Sequence, residues 1–405
     1  MKIVLAPDKF KGSLTAPEVA AALAEGIRDV LPDAELVLVP VADGGEGTVS
    51  AALGAGFSPR GAAVSGPTGQ PIAAKFAVQP PPGAAGFAGG RAVVEMAAAS
   101  GLDVLPDGIR DARNATSLGT GQLVRAALDA GAREIILGVG GSACTDGGAG
   151  MLQGLGARFT DDAGNELPLG GAALARIAEA DLGGLDARLD AATLILAADV
   201  DNPLLGEHGA AAVFGPQKGA TPSDVADLDA ALARFAEVLG GTMGHRAVAL
   251  KDAPGAGAAG GVGYAALVLG AQRRRGIEVV VEFTGLRPKL EGAALVVTGE
   301  GSLDAQSLSG KAPVGVAAEA RAQGVPVVGV CGRNQLDTPT QRTAGFAAVH
   351  ALTDLEADVE VCLRDARRLV RETGRVIAAD LAQGLAGTSE GLTIVDTDSR
   401  KESVR

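Results

Sequence analysis

Short, almost wholly apolar runs that each break into a polar, glycine-bearing loop recur along this chain, and no other feature narrows the choice of fold as far. Lys2 to Ala6 is such a run and ends in the loop Pro7 to Ser13. Glu35 to Val41 is the next and ends in Ala42 to Thr48. Between them, Thr15 and Glu18 have capping-box spacing and Pro17 suits a first helical turn. Val19, Ala22, Leu23, Ile27 and Val30 then fall on one helical face, and Pro32 and Asp33 stop it. Strands with no polar face belong to parallel sheets covered on both sides. The pattern is a β-α-β unit, the class is α/β, and its loops lie at the carboxyl strand ends, where open parallel sheets bind ligands.

Further strands are expected at Ala92–Glu95, Glu134–Val139, Thr193–Ala198, Glu278–Phe283, Ala294–Thr298 and Pro326–Val330, with helices at Thr120–Ala130 and Glu360–Leu381 among those between and after them. Pro80 to Gly90 reads as a loop or linker, and 386–405 as a mobile tail. At 405 residues the chain has material for two or three domains. Only 2% of residues are aromatic, so the cores must be built from Ala, Val, Leu and Ile. A net charge of −13 leaves no basic footprint for nucleic acid. Cys144, Cys331 and Cys362 show no CxxC spacing, and no HExxH motif occurs, which disfavours thiol or His-zinc chemistry. Neither a signal peptide nor a membrane-length apolar run is visible, so no membrane partner and a cytoplasmic location are expected.

The loops carry the chemistry. Asp8 to Ser13 offers a carboxylate, Lys9, Lys11 and a hydroxyl. Asp43 and Glu46 lie three positions apart among glycines, which suits a metal or polyol site. Gly138 to Gly150 is a glycine-rich nest between a strand and a helix, a recipe for anion binding, with Ser142, Thr145 and Asp146 inside it. Asp199, Asp201 and Asn202 at another strand end suit Mg²⁺. Lys218 stands beside glycines. Gly255 to Gly260 matches GxGxxG without a strand directly before it, the one basis for a nicotinamide-dependent oxidoreductase. Glu300, Asp304 and Lys311 follow a clean strand, but Ala305 and Ala312 stand where a P-loop needs Gly and Ser/Thr. Scattered glycine nests, lysines and carboxylates at strand ends are what phosphoryl transfer requires.

Seven segments, in order, resemble the signatures of the bacterial glycerate kinase family: Ala6–Ser13, Val41–Thr48, Gly140–Gly148, Asp199–Leu204, Phe214–Gly219, Gly255–Gly261 and Thr298–Gln306. The family usually carries Ser, Asn and Arg where this chain has Lys9, Thr145 and Ser302. The resemblance implies phosphorylation of D-glycerate with ATP and Mg²⁺, favouring 2-phosphoglycerate over 3-phosphoglycerate; separately, a monomer or homodimer is expected. It implies a flavodoxin-like parallel-sheet domain from both chain ends (1–65 plus 288–385), an inserted α/β mixed-sheet domain (66–287) and a site in the cleft between them. Expected roles are Asp199, then Asp8, as general base, with Lys11 also catalytic; Ser13, Asp43, Glu46 and Lys218 on substrate; Gly140, Gly141, Ser142, Asp146, Gly147 and Lys311 on nucleotide; and Glu300, Asp304 and Asp201 on metal. The alternatives are the oxidoreductase and a non-catalytic sugar-acid binding protein.

Overall fold

The computed structural model describes residues 1–79 and 90–387. The proposed linker at Pro80 to Gly90, except Gly90, and the proposed tail beyond residue 387 lie outside those residues. In chain order the strands are β1 (Lys2–Pro7), β2 (Glu35–Leu38), β3 (Ser58–Ser65), β4 (Pro71–Gln79), β5 (Gly90–Glu95), β6 (Ala132–Gly138), β7 (Arg158–Thr160), β8 (Glu179–Asp181), β9 (Thr193–Ala197), β10 (Gln272–Arg274), β11 (Leu295–Leu303), β12 (Val327–Asn334) and β13 (Ala348–Ala351). The described residues form two compact units: 1–43 with 50–55 and 277–387, and 44–49 with 56–79 and 90–276.

The first unit is built on a five-stranded sheet, all parallel, in the order β13-β12-β11-β1-β2. Counted within this sheet the order is 2-1-3-4-5, the flavodoxin-like arrangement, with its topological switch point between β1 and β11. Ile3, Leu5, Leu295, Val297, Val328 and Val330 turn to one face, where the helices Ala16–Val30 and Ala366–Gly387 cover them with Val19, Leu23, Ile27, Leu369, Val370 and Ile377. The first helix has its capping box as the sequence indicates: Thr15 N–H and Oγ donate to Glu18 at 2.8 and 2.7 Å.

The second unit holds a six-stranded mixed sheet, β10-β9-β6-β5-β4-β3, antiparallel only at the β3–β4 and β4–β5 pairs, and the small β7–β8 hairpin. The long helix Pro222–Met243 packs Leu228, Leu232, Phe235 and Leu239 into its core.

Two expectations need correction. Glu278–Phe283 is not a strand but part of the helix Gly276–Thr284. Its apolar residues Ile277, Val280 and Val281 also fit a helical period, and Thr284 Oγ1 donates to the Val280 carbonyl one turn back at 2.6 Å. β2 ends at Leu38 rather than Val41, although Val39 and Val41 still donate N–H bonds to Leu5 and Pro7 at 2.8 and 3.0 Å.

Candidate active site

At the switch point of the first unit, Pro7 lies in register with Gly299 and the Asp8 N–H donates to the Gly299 carbonyl at 2.8 Å. That pairing sets Asp8 beside Glu300 at the carboxyl ends of adjacent strands. The chain approaches closely here: a Cβ on Gly301 would come 3.2 Å from the Lys11 nitrogen, so glycine lets the β1 loop lie on β11. Asp8 is buried and accepts the Lys9 N–H at 2.6 Å. Burial, then the Asp43 charge, and to a lesser degree Glu300, raise its pKa to about 7 against the opposing Lys9. Glu300 is also buried, and its pKa is raised first by burial, with Asp43 and Asp304 adding and Ser307 and Lys311 opposing. Glu300 Oε1 has no hydrogen-bond partner among the described residues, whereas Oε2 stands 4.0 Å from Lys311 Nζ. Lys311 is the N-cap residue of the helix Ala312–Ala322.

Two expected ligands are occupied locally. Asp304 Oδ1 accepts the Gln306 and Ser307 N–H groups at 2.8 and 3.2 Å, closing a turn. Ser13 Oγ donates to the Phe10 carbonyl at 3.0 Å. Lys11 is exposed on the same loop.

In the second unit the loop from Val139 to Gly148 leaves β6. Asp146 sits buried within it and accepts five donors: Ser117 N–H at 2.7 Å, Ser117 Oγ–H at 2.8 Å, Gly148 N–H at 3.1 Å, Gly150 N–H at 3.3 Å and Thr116 Oγ1–H at 3.5 Å. Its oxygens therefore hold the loop in shape. The helix that follows, Ala149–Gly154, is only 6 residues long. Lys218 is 1% exposed, and its ammonium donates to the Cys144 carbonyl. Burial lowers its pKa. Burial also pushes the Cys144 thiol up, which removes it as a nucleophile. Thr145 Oγ1 is buried without a partner among the described residues.

The GxGxxG segment does not serve a dinucleotide fold. A 3₁₀ turn, Leu250–Asp252, precedes it where a strand would be needed. Ala259, Gly260 and Gly261 take φ of 55°, 67° and 96°, and Gly260 accepts the Gly147 N–H at 2.9 Å. A Cβ on Gly260 would come 2.8 Å from Thr145 Cα, so this segment is the backing of the β6 loop. The Gly44–Thr48 stretch lies against the same region: a Cβ on Gly140 would come 2.7 Å from Gly45 Cα. Glu46 belongs to that stretch, and Gly141, Ser142 and Gly147 to the β6 loop itself.

At the β9 tip, Asp199 Oδ1 accepts the Gly276 N–H at 2.8 Å. Asp201 pairs with Arg273 at 2.5 Å. Of the expected metal ligands, Glu300 and Asp304 belong to the first unit and Asp201 to the second. No group of three His, Cys, Asp or Glu side chains among the described residues is arranged for a metal ion. The unpartnered Glu300 oxygen near Asp43 still fits Mg²⁺, which takes one or two carboxylates and completes its shell with water and phosphate. Sequence reasoning missed Ser117 and Arg273, whose partners are 29 and 72 positions away with no local signal.

A profile described as the glycerate kinase family matches residues 3–382. The chain is 44% identical to the glycerate 2-kinase of Escherichia coli (strain K12) over 95% of its length and 99% of the relative's. It is 43% identical to the glycerate kinase of Bacillus subtilis (strain 168), over 94% and 98%. A crystal structure from Salmonella typhimurium LT2, assigned as glycerate kinase 2, superposes with a TM-score of 0.81 at 44% identity, covering 95% of this chain and 99% of the other. No helix among the described residues is long and apolar enough to cross a membrane. A match that runs nearly from end to end leaves one conclusion: the chain belongs to the glycerate kinase family and is a kinase acting on a hydroxyl group.

Proposed function

We propose that the protein transfers the γ-phosphoryl group of ATP to the 2-hydroxyl of D-glycerate, giving ADP and 2-phospho-D-glycerate. The observation that carries this reading is Asp8: a buried carboxylate at the sheet's switch point with a pKa near 7, beside an unpartnered Glu300 oxygen. A base matched to neutral pH is what a hydroxyl nucleophile needs. The name of the E. coli relative supports the 2-position.

In this mechanism the acceptor oxygen forms its bond to phosphorus as the bond between phosphorus and the bridging oxygen of ADP breaks. Asp8 takes the acceptor's proton and later releases it to water. Asp8 thus replaces Asp199 as first choice for the base, because Asp199 already orders the β10 end through the Gly276 N–H. Glu300, with Asp43 nearby, would hold Mg²⁺, which when bound neutralises phosphate charge. Lys11 and Lys311 balance the charge that spreads over the transferring group. The β6 loop, shaped by Asp146 and Gly260, receives nucleotide phosphates on its backbone N–H groups.

Mixing the protein with ATP, Mg²⁺ and D-glycerate and following the phosphorus NMR spectrum tests this. The expected products are ADP and 2-phosphoglycerate. A 3-phosphoglycerate signal would overturn the regiochemistry, and no ADP would overturn the reaction.

A further inference from the structure

The acidic switch point poses a problem for an anionic acceptor. Asp8, Asp43 and Glu300 interact electrostatically there, and a hydroxy acid brings a further negative charge. Lys311 faces Glu300 at 4.0 Å, so its charge is already partly answered. Strand register points to another cation. β12 runs parallel beside β11, with Glu300 paired to Cys331 and Ser302 to Arg333. Partners in a parallel ladder share a face, and residues two apart share it too. Glu300, Ser302, Cys331 and Arg333 therefore lie on one side of the sheet, opposite the face that Val297, Val328 and Val330 turn to the helices. Asp8 follows Pro7, the partner of Gly299, and so falls on the Glu300 side. The Cys331 thiol, two residues before Arg333, already senses the Glu300 charge.

Arg333 is exposed and pairs with no carboxylate among the described residues. It sits at the end of a strand rather than on a loop, which fixes its base. A guanidinium offers two parallel donors that match a carboxylate, which an ammonium does not. We propose that Arg333 is the residue that binds the carboxylate of the hydroxy-acid acceptor and so selects acids over neutral polyols. The proposal rests on the acceptor being glycerate and names a residue of that same site.

Kinetics and calorimetry of the full chain with Arg333→Ala and Arg333→Lys test it. A charge-assisted hydrogen bond contributes about 1.5–3 kcal/mol, so Arg333→Ala should raise KM and Kd for D-glycerate by about tenfold or more. KM for ATP should stay within about threefold, and Arg333→Lys should recover part of the loss. The preference for D-glycerate over its neutral carboxamide should fall by a similar factor in Arg333→Ala. Unchanged Kd and unchanged preference in a folded Arg333→Ala protein would overturn the proposal. If the wild-type protein forms no ADP with D-glycerate, the reaction assigned above fails. The calorimetric Kd of wild type and Arg333→Ala still decides the role of Arg333.

Discussion

Asp8 answers to two opposed demands, and both are measurable. As the proposed base it must be ionised, which its raised pKa of about 7 prevents at lower pH. We therefore expect kcat to fall with unit slope as pH drops below about 7. Asp8→Asn should lower kcat by about a hundredfold or more, about 2.7 kcal/mol, and abolish that acid limb. A change under about threefold with the fold intact would remove Asp8 from the chemistry and return attention to Asp199. Stability has the opposite sign. A carboxyl whose folded pKa lies above its ordinary value of 3.8 favours folding fully below 3.8, and that contribution is lost as pH rises through about 7. At pH 8 the ionised, buried group opposes folding. Asp8→Asn should therefore be more stable than wild type at pH 8 and lose that advantage at pH 5, read from urea midpoints at both pH values. Glu300 makes a second residue-level test. Its unpartnered oxygen predicts that Glu300→Gln raises the Mg²⁺ concentration for half-maximal rate about tenfold, with KM for glycerate little changed. An unchanged Mg²⁺ requirement would place the metal elsewhere.

At the scale of elements, the β6 loop is shaped from beneath by parts distant in sequence. Ser117 gives Asp146 two hydrogen bonds and accepts the Met151 N–H at 2.8 Å, all within buried surroundings. Ser117→Ala leaves the Met151 N–H unpaired and Asp146 short of a donor. The cost should be about 2–3 kcal/mol, with KM for ATP rising and KM for glycerate nearly unchanged. A stable variant with an unaltered KM for ATP would separate this loop from nucleotide. How far such parts could be seen in advance differs by kind. The motif at Gly140 to Gly148 was legible because glycine spacing is local, as were the β1 strand and the capping box at Thr15. The internal use of Asp146 and Lys218 was not, because a sequence shows that a carboxylate lies in a loop but not which way it faces. Ser117, Arg273 and Arg333 gained meaning only when sheet register or loop closure set them beside the motifs. Glu278–Phe283 misled for another reason: a short run of β-branched residues fits either period until packing chooses, and Ile277 is packed against Gly315 in the helix Ala312–Ala322.

Across the whole molecule, the acid site needs both ends of the chain. Asp8 follows the first strand and Glu300 lies in the eleventh, and the sheet that joins them is covered by an early helix and the last described one. Those two helices, Ala16–Val30 and Ala366–Gly387, meet through glycines. A Cβ on Gly26 would run into the Arg371 carbonyl and lie 3.0 Å from the Arg375 nitrogen, and one on Gly374 would lie 2.6 Å from the Leu23 oxygen. Backbone meets backbone there, so no side chain can swing aside. The same helices exchange exposed ion pairs, Asp29 with Arg371 and Arg375 at 3.0 and 2.8 Å. Solvent screens such pairs, and they contribute little. The two kinds of contact can be told apart. Gly26→Ala should destabilise by about 2 kcal/mol or more, because the helices must separate. Asp29→Asn should cost under about 1 kcal/mol. Urea denaturation followed with the activity assay reads both. Activity should disappear at lower urea in Gly26→Ala, since opening this seam exposes the layer that holds β1 beside β11 and so parts Asp8 from Glu300. Were Asp29→Asn the more damaging change, the ion pairs rather than the close helix approach would hold the chain ends together.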